Sequence, residues 1–218
     1  RHVSRAGRRL TATIKKNYAK HQMVPDSQKS KSLMKQHIPN FVTGLRIALT
    51  PLIAFVLWQP QEKWLTALGL FLFIIASASD WLDGYLARQM NIVSPVGRML
   101  DPIADKLLVT ACLLALAASR VADAVFLVPA LIILMREILV SGLREHLAGS
   151  KVPVPVSLTA KWKTATQMIA LGVLIGAPIL GGAIRVMVET GGIVLLWFAA
   201  AMTVQTGVMY FRAGSKHF

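Results

Sequence analysis

At 218 residues, 55% apolar and only 16% charged, the chain departs from an ordinary soluble domain, which carries roughly 45–50% and about 25%. Long apolar runs recur from Ile38 almost to the C-terminus, so the composition points to a membrane protein. The formal charge of +14 is uneven, and no aromatic platform or DNA-reading motif accompanies it, which excludes nucleic acid as a partner.

Residues 1–35 form a basic tail with ten Lys or Arg and a single acid, Asp26, so +9 of the +14 lies there and +5 in the rest. Such a tail is drawn to anionic headgroups of membrane lipids. An Arg-rich, acid-poor leader is also the composition of an organellar transit segment. Residues 36–218 read as one all-α membrane domain. Six spans are expected in chain order, at about 40–59, 64–88, 95–119, 122–147, 163–180 and 188–211, each near the roughly 20 residues needed to cross. Pro60, the two prolines within 151–156, and Gly181 with Gly182 mark breaks between them. The one cysteine, Cys112, falls in an apolar run and reads as a buried structural thiol.

The connections after the first, third and fifth spans hold only Lys63, Arg120 and Arg185. The basic tail, Arg88, Arg98, Arg144, Lys151, Lys161, Lys163, Arg212 and Lys216 all collect on the other side. The positive-inside rule then places both termini in the cytoplasm or matrix.

Acids are scarce, and four of the ten fall within residues 80–105, where the second and third spans meet. An Asp at mid-membrane costs about 2.5–3.5 kcal/mol, and four together on the order of 10 kcal/mol. Asp is too short to snorkel far, so these carboxylates read as lining a wet, cation-binding cavity. Asp80 and Asp83 share one helix face, with Ala87 a turn further on. Gly97, Asp101 and Asp105 recur at every fourth residue and form one stripe on the next helix. Two antiparallel helices joined at 89–94 are expected to bring the stripes together. Hard oxygens without His or Cys suit Mg²⁺ or Mn²⁺. Arg88, planar and always charged, fits a phosphate.

The run Asp80-Trp-Leu-Asp83-Gly84-Tyr-Leu-Ala87-Arg88, followed by Gly97, Asp101 and Asp105, reproduces the signature of the CDP-alcohol phosphotransferases without a departure. The chain resembles that family from about Ile38 to Phe218. The resemblance implies six transmembrane helices around a cytoplasm-facing polar cavity, commonly in a homodimer. It implies transfer of a phosphoalcohol group from a CDP-linked donor to an acceptor hydroxyl, with release of CMP. It also implies that Asp80, Asp83, Asp101 and Asp105 hold two divalent ions, Mg²⁺ or Mn²⁺, with Asp105 as the catalytic base. On the CDP side it sets Gly84, Ala87 and Gly97, with Arg88 near the diphosphate. Asn40, Thr43 and Arg46 precede the site on the first span. Their plain reading is an N-cap at Asn40 and a snorkelling Arg46, and the resemblance adds a CDP-phosphate contact.

For the acceptor, Arg136, Glu137 and Arg144 on the fourth span join Lys161 and Lys163 on the same side. The Arg136-Glu137 pair can be structural, its charges neutralising each other. The surplus of cations otherwise suits an acceptor phosphate, with Arg136, Arg144 and Lys161 as its ligands. Arg136-Glu137-Ile-Leu-Val-Ser-Gly142-Leu-Arg144 and Lys161-Trp-Lys163-Thr164-Ala-Thr-Gln167-Met168 resemble the bacterial branch that joins CDP-diacylglycerol to sn-glycerol 3-phosphate. That branch implies the bacterial inner membrane, with the mitochondrial inner membrane as the alternative. A cardiolipin synthase, whose acceptor is phosphatidylglycerol, and enzymes using inositol phosphate or serine are rivals. A cation transporter is a more distant one, disfavoured because a fixed Arg88 beside the acids does not help a cation pathway.

Overall fold

The structure, a computed structural model, describes the backbone over residues 26–59, 62–90, 95–119, 123–149 and 158–214. It describes side chains over 42–59, 62–79, 97, 99–119, 123–143 and 162–212. Within these residues the chain is all helical. The helices are α1 (Asp26–Trp58), α2 (Lys63–Met90), α3 (Pro95–Ser119), α4 (Ala124–Gly149), α5 (Leu158–Gly176) and α6 (Gly182–Gly214), with a 3₁₀ turn over Ala177–Ile179.

Helix ends follow local chemistry rather than hydropathy. Asp123 caps α4, its Oδ1 accepting from the Val125 and Phe126 amides at 3.1 and 3.4 Å. Gly182 takes φ +58°, a left-handed turn open to glycine, just as α6 begins. At the other end of the chain, α1 starts at Asp26, well before residue 40. The expected N-cap at Asn40 is therefore overturned: Asn40 lies inside the helix. Loss of hydropathy marks where the apolar solvent ends, while the hydrogen-bonded ladder continues into polar sequence.

Among the described residues three helical segments are long and apolar enough to cross a membrane: Met99–Ser119, Ala124–Leu143 and Gly182–Arg212. Val42–Trp58 and Lys63–Ser79 are shorter apolar stretches. Large side chains such as Phe55, Phe71, Leu131, Ile138, Leu139 and Phe198 lie on the outside, an apolar surface that water would not tolerate and that lipid matches. The chain is a membrane protein.

Helix α1 packs on both α3 and α2, while α6 packs on both α5 and α4, and α2 against α5 joins the halves. The core runs through Ile53, Phe73, Leu108, Cys112, Phe126, Ile133, Leu171 and Leu196. Small residues let the axes approach, since lipid tails give little hydrophobic drive between helices. At Gly69 a Cβ would sit 2.7 Å from Leu57 Cδ2, so glycine is what lets α2 close on α1. Where the expected direct pairing of α2 with α3 would bring the acids together, the side chains of residues 80–90 lie outside the described residues. Among the described residues these two hardly touch, and α1 is the element they share.

Candidate functional site

On α3, Gly97 is buried, Asp101 exposed and Asp105 half-buried, while Ala104 between the acids is fully buried. The four-residue spacing sets Gly97, Asp101 and Asp105 along one stripe of α3. From α1, the Thr43 hydroxyl donates to Asp101 Oδ1 at 2.7 Å. One turn along, Arg46 Nε donates to the Ala76 carbonyl of α2 at 3.2 Å. Thr50 in turn donates to the Arg46 carbonyl at 2.8 Å. Thr43 and Arg46 are each 1% exposed. Of the eleven expected catalytic, metal and CDP residues, the structure thus joins Thr43 directly to Asp101, and Arg46 to the turn preceding Asp80.

A second polar centre lies between α4, α5 and α6. Glu137 Oε1 accepts from Arg136 Nη1 at 3.3 Å and from Lys163 Nζ. Arg136 Nη2 donates to Thr206 Oγ1 at 2.7 Å, and its guanidinium lies 5.8 Å from the Tyr210 ring centroid. The side chains of Arg136, Glu137 and Lys163 are 12%, 19% and 7% exposed. Gly207 makes room, because a Cβ there would meet Arg136 Cγ at 3.2 Å. Two cations share one carboxylate, and Asp105 lies within electrostatic reach of Lys163. Arg136 is therefore held by protein groups, and the cluster keeps one positive charge in excess.

The side chains of Asn40, Asp80, Asp83, Gly84, Ala87, Arg88, Arg144 and Lys161 lie outside the described residues, although each position is helical in the backbone. Among the described residues no three of His, Cys, Asp and Glu gather as a metal group. The donors that are described do fit a hard cation. Asp101 and Asp105 offer carboxylate oxygens one turn apart, and Asp101 is oriented by a neutral hydroxyl rather than spent on a cationic side chain.

Sequence reasoning missed Thr206, Tyr210 and the Ala76 carbonyl. Thr206 and Tyr210 carry no charge and stand far from residue 136 in the chain, so no spacing rule reveals them. The Ala76 carbonyl has no side-chain signature at all. Lys163 was visible as a cation on the same side, but its link to Glu137 depends on how α5 meets α4.

A model of the family described as CDP-alcohol phosphatidyltransferase matches residues 36–211. The chain is 46% identical over 187 residues to a CDP-diacylglycerol–glycerol-3-phosphate 3-phosphatidyltransferase of Rickettsia bellii, covering 84% of this chain and 98% of that one. It is 37% identical over 183 residues to the protein of the same name from Haemophilus influenzae, covering 82% and 94%. A cardiolipin synthase (CMP-forming) of Oryza sativa is 36% identical over 186 residues, which span 80% of this chain and 56% of the plant protein.

Proposed function

The chain belongs to the CDP-alcohol phosphatidyltransferase family, and we propose that within it this protein transfers the phosphatidyl group of CDP-diacylglycerol to sn-glycerol 3-phosphate. The products are phosphatidylglycerophosphate and CMP. The observation that carries this reading is the 46% identity to a phosphatidyltransferase of that name, spread over nearly its whole length. Family membership removes the ion-transport alternative.

In the proposed site, Asp80, Asp83, Asp101 and Asp105 would hold a pair of divalent cations, Mg²⁺ or Mn²⁺. What such cations supply when bound is neutralisation of diphosphate charge. Arg88 adds a fixed positive charge beside the same diphosphate, and Gly84, Ala87 and Gly97, with Asn40, leave room for the nucleotide. Asp105 takes the proton from the terminal hydroxyl of glycerol 3-phosphate as that oxygen attacks the phosphorus bearing the diacylglycerol. A new P–O bond forms, the anhydride P–O bond breaks, and CMP leaves with that electron pair. The acceptor's phosphate is drawn to Arg144 and Lys161, with the surplus positive charge of the Arg136–Glu137–Lys163 cluster behind them. Arg136 itself we assign to holding α4 against α6.

A six-span topology supports this chemistry, because the donor keeps its acyl chains in the bilayer while its headgroup reacts in a polar cavity. The excess of Lys and Arg on one side favours a cytoplasmic site and cytoplasmic termini, and we place the protein in the bacterial inner membrane as a homodimer. The basic tail of residues 1–35 strengthens attachment to anionic lipid.

The test is CMP release from CDP-diacylglycerol by the purified protein, with each candidate alcohol offered in turn. Glycerol 3-phosphate is expected to release CMP, and phosphatidylglycerol, inositol phosphate and serine are not. Release with phosphatidylglycerol alone would replace this reading by the cardiolipin-synthase one, which the rice relative makes the second choice.

A further inference from the structure

We infer that Thr43 and Arg46 are positioning residues that set the separation of the two acid-bearing helix segments, an inference that rests on reading those acids as a divalent-cation site. The two residues stand three apart, so they share one face of α1. Both are buried to the same extreme degree, yet they reach in different directions. Thr43 bonds α3 at Asp101 itself. Arg46 bonds α2 at the Ala76 carbonyl, one helical turn before Asp80.

Among the described residues α2 and α3 hardly touch. Their relative height and distance are carried by α1, which packs on each of them. Hard-cation sites depend on such spacing, since carboxylates that approach from two helices must meet at one ion. A hydroxyl offers only one proton. While that proton is given to Asp101 Oδ1, Thr43 cannot donate it to a phosphate, so the contact in the structure is one that orients a carboxylate. Thr50 stiffens the same turn through its bond to the Arg46 carbonyl.

The measurement is Mn²⁺ binding to the full-length protein without nucleotide, followed by the electron paramagnetic resonance signal of free Mn²⁺. Thr43→Val keeps the shape and removes the donor, and it is expected to weaken Mn²⁺ binding about tenfold to a hundredfold. Thr43→Ser keeps the donor and restores binding. Arg46→Lys keeps the charge, loses the Nε donor and weakens Mn²⁺ binding in the same direction. If Thr43→Val does not insert and fold, Thr43→Ala against Thr43→Ser carries the same comparison. Wild-type Mn²⁺ affinity in Thr43→Val (or Thr43→Ala), with a raised KM for CDP-diacylglycerol, overturns the inference and gives the hydroxyl to the nucleotide, leaving the proposed reaction intact. Wild-type affinity in Arg46→Lys removes Arg46 from it. A wild-type protein that binds no Mn²⁺ overturns the inference together with the cation site beneath it.

Discussion

Two regions of this molecule put charge inside apolar helices, and they handle it in opposite ways. Around α1, α2 and α3, Asp101 is exposed and Asp105 half-buried, and Asp101 is met by the neutral hydroxyl of Thr43. Between α4, α5 and α6 the charges meet one another: Glu137 accepts from both Arg136 and Lys163, and Arg136 is further held by Thr206 and Tyr210. An acid oriented by a neutral donor keeps its charge for a cation from outside the chain. A pair closed on itself spends most of its charge internally and is first a structural device. An ionisable residue in a membrane helix therefore announces a role without saying which, and the source of its counter-charge decides.

The comparison is broken or sharpened by removing charge on each side. The largest effect is expected at Asp105: Asp105→Asn should lower CMP release about a hundredfold to ten-thousandfold, as loss of a general base does, with thermal stability in detergent unchanged. A large fall in stability would place Asp105 with the structural charges instead. Glu137→Gln is expected to do the reverse. Removing the shared acceptor of two buried cations should cost about 3–5 kcal/mol of stability, read from unfolding in detergent, and Lys163→Met in the same chain should recover part of it. A stable but inactive Glu137→Gln would move that cluster into the reaction. The smallest effect belongs to the acceptor side. Arg144→Gln or Lys161→Gln should raise the KM for glycerol 3-phosphate roughly tenfold to a hundredfold, the worth of one charge-assisted contact of about 1.5–3 kcal/mol. The KM for CDP-diacylglycerol should move much less. Equal shifts for both substrates would withdraw these residues from the acceptor site.

Much of the molecule was legible in the residues alone. The membrane environment follows from apolar runs that no soluble core of this size requires, and the helical class follows because a lone helix satisfies its own backbone in lipid. The acid motif from Asp80 to Asp105, on which the proposed cation site rests, was legible because its residue types and helical spacing are both written in the sequence. The two functions of charge were not separable there. Arg136-Glu137 reads equally as a closed pair or a phosphate site, because its deciding partners, Lys163 and Thr206, stand 26 and 70 residues away on other helices. Thr43 likewise carries no mark that its proton goes to Asp101, 58 residues on, rather than to a ligand. Periodicity along one helix determines which residues share a face. Which face of another helix they meet depends on how all the side chains and small residues pack at once, and that only the tertiary structure decides.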